Sequence, residues 1–557
     1  MTRWALLWLA ALTFGVVACA REMRNPAGTA RLDSIFAEWN RPDSPGCGVG
    51  VSRDGRVVYE RGYGMADIER RVPIGADSVF PLASLSKPFT AMSILLLAQQ
   101  KRLSLDDEVR HYVPEWRYRE HPITIRQLLT HTGGLRDVFL LDQLASPVSP
   151  RGDVNEKLLG LLARQRGMNF VPGTEVQYSN GGYNVLGGIV RRVSGKPLRA
   201  FAEANIFRSL GMTATHVHDD PARIIPNRVT SYTNDGDGFK SVCAECGGIV
   251  GNAGMFSTVR DLLRWAQNLA EPRVGDSTLI AAMQTPATPA GPMGQWSHGL
   301  QIGDHGGRRT VGHAGGDRGI ATNLTRYLAE GLAIVVLCNT NAPAVELTRR
   351  IADVYLEPGA ASTGHSPGSV SAAVTLSPAA LASKTGRYGD AEAAAADALV
   401  DVVVENGQLV AVLGSGDRMP LAPASAERFT IPGLPVAVTF LPGPNGRPRA
   451  MEIVGVAATP AVLPRVEPFT PEDRDLRAAA GSYANVDLDV TYTLVPGGGT
   501  LILQRSGRED VRLAPLFRDT FEGFNIVRFA RDGRGAVTGF DYHSTGVRRL
   551  RFDRVGR

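Results

Sequence analysis

The sequence predicts an α/β (α+β) body, in which one antiparallel sheet stands beside a helical cluster, followed by two small antiparallel β-barrels. Three observations predict this. Strand-like runs lie at both ends of the first 357 residues, with helical patterns between them. A stretch rich in Pro, Gly, Ser and Ala follows. Beyond it, one strand-and-turn pattern occurs twice. The 557 residues exceed what one hydrophobic core can serve, and 43% hydrophobic with 21% charged residues marks a globular chain.

The elements follow in order. "CGVGVSRDGRVVYERGYG" (47–64) is a hairpin, because two β-prone runs flank Asp54-Gly55, the dipeptide of a type I′ turn. "PLASLSKPFT" (81–90) leads into "AMSILLLAQQ", which reads as a helix starting near Ser84. "LSLDDEVRHYVPEW" and "ITIRQLLTHTGGL" mix helix and loop, and 137–156 reads as a loop that shapes a pocket. Residues 181–212 read as two helices, and "STVRDLLRWAQNLA" (257–270) as a helix capped by Ser257. "TVGHAGG", "GIATNLTRYL" and "GLAIVVLCNT" are strands, and "AVELTRRIADVYL" (344–356) closes the body as a helix. A linker spans 358–376, and the repeats span 377–466 and 470–557. There "KTGRYGD" is echoed by "AAGSYAN", and "LAPASAERF" (421–429) by "LAPLFRDTF" (513–521).

Residues 1–20 read as an export signal. Arg3 supplies the charge, and "WALLWLAALTFGVV" is an apolar core too short to span a bilayer comfortably. "VVAC" resembles a bacterial lipobox, which makes Cys19 the lipidated first residue of the mature chain; the alternative is cleavage after Ala20. The expectation is a lipoprotein of the periplasm or outer membrane, touching the membrane only through Cys19. The net charge of +5 comes from scattered residues with no run of Lys or Arg, so no nucleic-acid partner is expected. Four cysteines remain: Cys47, Cys243, Cys246 and Cys338. "CAEC" (243–246) has no second C-x-x-C and no H-x3–5-H partner, so a local disulfide is favoured over zinc. "HVHDD" (216–220) lacks the further histidine of a metal site, and no metal is expected.

Three short motifs carry chemistry. Ser84 and Lys87 lie three apart, hence on one helical face. A hydroxyl beside an amine is a nucleophile with its base, provided the lysine is neutral when it acts. Each also has an ordinary use, Ser84 as a cap and Lys87 as a solvated charge. Tyr178-Ser179-Asn180 precedes a helix, and His313-Ala314-Gly315 lies on a strand. S-x-x-K, Y-x-N and H-x-G in this order resemble the serine penicillin-recognising hydrolases: class C β-lactamases, D-alanyl-D-alanine carboxypeptidases, D-aminopeptidases and related esterases. "HTGGL" (131–135) and "GNAGMFSTVRDL" (251–262) resemble segments of the same group.

The resemblance covers about 30–357 of a catalytic domain placed at 28–357. It implies a β-lactamase/transpeptidase-like fold; the barrels behind it read as lipocalin-like. By the same resemblance Ser84 is the acylated nucleophile, Lys87 its base, and Tyr178 the proton relay. Asn180, His313 and Gly315 contact substrate, and the backbone N–H groups of Ser84 and Gly316 form the oxyanion hole. No cofactor is implied. Lys384-Thr385-Gly386 spells the lysine form of the third motif but falls inside the first repeat, so His313 is the better third element. The function expected is an exported serine hydrolase acting on a small-molecule or peptide substrate: a D-amino-acid peptide, a peptidoglycan-like fragment or a small ester. The alternatives are a class C-type β-lactamase or D,D-carboxypeptidase, and a non-catalytic ligand-sensing protein. If the first and last strands pair as in the family's sheet, Cys47 and Cys338 can meet, but one residue of register shift turns one sulfur away.

Overall fold

A computed structural model describes residues 26–145, 153–245, 247–291, 294–356, 376–389, 399–413, 418–432, 436–455, 460–467, 469–523 and 525–556. The export signal, Cys19, Cys246 and nearly all of the linker lie outside them. The chain divides into two compact units, one within Met1–Leu105, Tyr183–Pro289 and Gly294–Ser362, the other within Asp106–Gly182, Ala290–Met293 and Thr363–Arg557.

The first unit is built on a seven-stranded antiparallel sheet. Its order is Gln295–Trp296, Gln301–His305, Arg308–Asp317, Ile320–Tyr327, Leu332–Cys338, Cys47–Arg53 and Arg56–Tyr63. Strands from both ends of the body therefore share one sheet, as the pattern predicts. In "CGVGVSR" the alternation is read on two faces. Cys47, Val49 and Val51 join a core with Phe36, Leu347 and Ile351 from helices or turns near Pro26–Ile35 and in Ala344–Tyr355. Gly48 and Gly50 face the other way, where helix Val259–Asn268 packs so close that a Cβ on Gly50 would lie 2.3 Å from Val259 Cγ1. Thr258, not Ser257, caps that helix: its side chain accepts from the Asp261 N–H, while Ser257 ends a strand. The Asp54-Gly55 turn has positive φ at both residues, 48° and 75°, as a type I′ turn requires. Cys47 and Cys338 are register partners and form a disulfide, with Cα atoms 4.0 Å apart.

Among the described residues the second unit holds four short helices ahead of the linker, and both repeats after it. Val138–Leu144 and Val154–Ala163 are helical, each started by an aspartate cap, so the described residues of the expected loop at 137–156 are mostly helix. Asp137 and Asp153 supply cap oxygens that a loop reading overlooks. The first repeat is an eight-stranded antiparallel sheet whose first and last strands approach through a Tyr388–Arg465 bridge. The second is a closed eight-stranded barrel, with Gly481–Asn485 paired to Leu550–Val555.

The two copies share a lock. In one, Tyr388 donates to the Lys384 carbonyl, and Arg465 lies over the Tyr388 ring while donating to the Thr385 carbonyl. In the other, Tyr483, Arg554, Ala479 and Ala480 repeat those contacts. K-T-G at 384–386 is thus the helix end and first strand of a barrel, with Lys384 paired to Glu427 at 2.9 Å. A loop of the closed barrel also packs on the helical segment. Arg136 donates to the Arg549 carbonyl at 2.9 Å, Asn169 to Gly546 at 3.0 Å and Gln177 to Thr545 at 2.6 Å.

Candidate active site

Ser84 lies in a 3-10 turn, Ala83–Ser86, and the long helix Lys87–Gln99 begins only after it. This corrects the expected helix start at Ser84. Pro88 in the first helical turn explains the boundary, since proline has no N–H to bond back and is favoured there. Ala83 holds a left-handed φ of 48°, a conformation unfavourable for a residue with a side chain, and the chain turns sharply just before Ser84. The helix is apolar nearly all round and buried from Lys87 to Leu97, which anchors the turn.

Lys87 is fully buried. Its Nζ stands 3.0 Å from Ser84 Oγ and 2.9 Å from the Asn252 carbonyl oxygen, with the Tyr183 ring centroid 5.7 Å away. As an ammonium it donates to both oxygens; as a neutral amine at the same distance it can accept the Ser84 hydroxyl proton. Ser86 points elsewhere: its buried Oγ accepts from the Met255 N–H at 3.2 Å.

Strand Arg308–Asp317 brings the third motif to this turn. Its pairing with Gln301–His305 stops at Gly312, while its pairing with Ile320–Tyr327 continues to Asp317. On the Gln301–His305 side, His313–Asp317 therefore has no ladder partner in that pairing. Gly315 packs directly on the nucleophile turn: a Cβ there would lie 2.2 Å from Leu82 O and 3.1 Å from Leu85 N. Thr322 Oγ1 donates to the same Leu82 oxygen at 2.8 Å. His313 is buried beside Trp296, with Nδ1 2.5 Å from the Ala314 carbonyl oxygen. Burial, and secondarily the Lys87 charge, push its pKa down to about 3, so the imidazole is neutral at pH 7.

Tyr178 and Asn180 belong to the second unit. The Tyr178 ring lies 4.5 Å from that of His131, whose Nδ1 accepts from the Ser179 N–H at 3.1 Å. Ser179 Oγ in turn accepts from the Gly182 N–H, which starts helix Asn180–Ser194. The structure thus brings Ser84, Lys87, His313 and Gly315 together in one unit and sets Tyr178 and Asn180 in the other. Gly316 follows Gly315 with open space on its Cβ side. Sequence reasoning passed over Asn252, Tyr183 and His131 as individual residues. "GNAGMF" and "HTGGL" carried the signal for two of them.

The beta-lactamase family profile matches residues 32–356. The chain belongs to the beta-lactamase family. This bears out the resemblance and the fold class drawn from the three motifs. A D-aminopeptidase of Brucella anthropi is 28% identical over 316 residues, covering 56% of this chain and 59% of that protein. One from Cereibacter sphaeroides is 29% identical over 303 residues, covering 54% and 58%. The chain therefore matches less than two thirds of the length of these relatives. Among solved structures, a penicillin-binding protein homologue from Pyrococcus abyssi aligns with a TM-score of 0.56 at 20% identity, over 86% of this chain and 98% of that one. A D-amino acid amidase from Ochrobactrum anthropi SV3, complexed with L-phenylalanine amide, aligns with a TM-score of 0.51 at 23% identity, over 59% and 98%. At these identities the likeness is one of fold.

Proposed function

We propose that this protein is a serine hydrolase that forms an acyl-enzyme at Ser84 and cleaves an amide or ester, with D-aminoacyl peptides and amides as its substrate class. One observation carries the reading: a fully buried lysine amine 3.0 Å from the Ser84 hydroxyl oxygen. Neutral Lys87 takes the hydroxyl proton as Ser84 Oγ bonds to the substrate carbonyl carbon. The tetrahedral oxyanion accepts from the Ser84 and Gly316 N–H groups. A proton then passes to the leaving amine or alcohol, its bond to the carbonyl carbon breaks, and water later releases the acid from Ser84. Tyr178 is given the relay role, and Asn180 and Gly315 the substrate contacts, on motif alone.

The relatives named D-aminopeptidase support the substrate class. Neutral His313 supports it as well. A charged hydrogen bond contributes roughly 1.5–3 kcal/mol against about 1 for a neutral one, so a site without the K-T-G lysine holds a substrate carboxylate about tenfold less well. Anionic β-lactams should turn over slowly, and neutral D-aminoacyl amides and esters faster. The test is fluorophosphonate labelling of the wild type and Ser84→Ala, followed by a panel of D- and L-aminoacyl amides, esters and cephalosporins. Labelling that survives Ser84→Ala sinks the acyl-enzyme, and efficient cephalosporin hydrolysis promotes the β-lactamase reading.

Export with lipidation at Cys19 is part of the same proposal, supported by the Cys47–Cys338 disulfide, which suits an oxidising compartment. Cys19→Ser should move the protein from the membrane fraction to the soluble one; an unchanged distribution counts against the anchor.

A further inference from the structure

One titratable group near Lys87 has no part in the chemistry above. Glu245 sits inside "CAEC", between Cys243, which is disulfide-bonded, and Cys246, which lies outside the described residues. Its backbone is left-handed, with φ 52°, and the Arg228 guanidinium donates to the preceding carbonyl of Ala244 at 3.1 Å. The residue is partly buried, but its Oε2 is shut off from solvent and meets no hydrogen-bond donor among the described residues. Its Oε1 accepts from the Gly254 N–H at 3.3 Å.

That contact matters because of what the 250–254 turn does. The Asn252 carbonyl in this turn accepts from Lys87 Nζ. The turn is held on its other sides by Thr90, which donates to the Gly251 carbonyl at 2.7 Å, and by Asn184, which donates to Val250 O and Asn252 Oδ1. Beside Thr90 and Asn184, Glu245 brings an ionisable group to the turn that holds Lys87. The charges that act on it come from three elements: Asp317 at the end of the strand carrying His313, Lys87 at the helix start, and Arg228.

We propose that Glu245 is a positioning residue for Lys87, which governs through the 250–254 turn and through its own charge when Lys87 can serve as a base. The inference rests on the reading of Ser84 and Lys87 as the acylating pair. Burial holds the Glu245 carboxyl neutral to about pH 8 against the Gly254 N–H bond, with Asp317 adding to the shift and Lys87 and Arg228 opposing it. The coupling with Lys87 is mutual. When one proton leaves the pair, two forms compete. In one, a neutral amine faces a neutral carboxyl and can act as a base. In the other, an ammonium faces a carboxylate and cannot. A carboxylate at Glu245 therefore delays the appearance of the free amine as pH rises. An isosteric amide removes the second form and keeps an acceptor for the Gly254 N–H.

The experiment is the pH profile, from about pH 6 to about pH 10, of the second-order rate of fluorophosphonate labelling for the wild type and Glu245→Gln. The rising limb of the variant is expected at lower pH, by about half a unit or more, with thermal stability recorded alongside. A variant whose limb superimposes on that of the wild type, or lies at higher pH, overturns the inference whatever its absolute rate. Should Glu245→Gln not fold, difference infrared spectra of the unmodified protein decide the case. A protonated-carboxyl band lost with a midpoint near pH 8 supports the inference, and its absence overturns it. The two readings fail separately. No labelling at Ser84 in the wild type defeats the acyl-enzyme, while labelling with an unshifted Glu245→Gln profile defeats only the role of Glu245.

Discussion

Gly315→Ala is the sharpest test of how the sheet supports Ser84. The added Cβ would lie 2.2 Å from Leu82 O and 2.4 Å from Thr322 Oγ1, where carbon and oxygen need somewhat more than 3 Å. About 1 Å of movement is therefore required. Leu82 cannot yield easily. Its oxygen accepts from Thr322 Oγ1 and from the Leu85 N–H, and its own N–H donates to the Met255 carbonyl at 2.8 Å. Overpacking of this kind costs about 1–3 kcal/mol of stability. The larger effect falls on the rate, because a 1 Å displacement of reacting groups costs on the order of 100-fold. Fluorophosphonate labelling of Gly315→Ala should thus slow by roughly two orders of magnitude, while urea unfolding shows a folded protein. Gly316→Ala is the control for stability, since nothing lies within 4 Å of its built Cβ. A folded Gly315→Ala that labels within about threefold of the wild-type rate would refute the idea that this strand braces the nucleophile turn.

Ser86→Ala should keep its labelling and lose about 1–2 kcal/mol of stability, because it removes the acceptor of the buried Met255 N–H; lost labelling in a folded variant would point to Ser86 as the nucleophile. The Cys47–Cys338 bridge closes a loop of 291 residues in sequence, so Cys47→Ser should cost about 2–4 kcal/mol, measurable by urea unfolding under non-reducing conditions. Thiol counting of the denatured, unreduced protein should find neither sulfur free; finding both free counts against the bridge. The His313 pKa is depressed in the folded state, from 6.5 to about 3, so the unfolded chain binds the extra proton first and this contribution to stability is lost as pH falls below 6.5. Between pH 7 and pH 5 the loss is about 2 kcal/mol, and it should be absent from His313→Asn; equal losses in both proteins would contradict a buried neutral imidazole.

Features that are local or periodic are legible in the residues alone. The Asp54-Gly55 hairpin follows from two residues that tolerate positive φ. The β-prone run "CGVGVSR" is legible as a strand, whereas the core beneath its valines and the helix against its glycines appear only in the fold. The three-residue spacing of Ser84 and Lys87 brings their side chains together even though the backbone there is a 3-10 turn rather than the expected helix, since both geometries put such residues on one side. The two barrels were legible because a repeated pattern carries its own control. Features that depend on partners distant in the chain arise only on folding. Asn252 contributes only a backbone carbonyl, a group every residue has, so no residue type announces it. The caps at Asp137 and Asp153 competed with a loop-like composition. The neutrality of His313 and the raised pKa of Glu245 come from burial and from charges brought near by folding. The register that joins Cys47 to Cys338 rests on pairing along the whole of two strands, and no single residue states it.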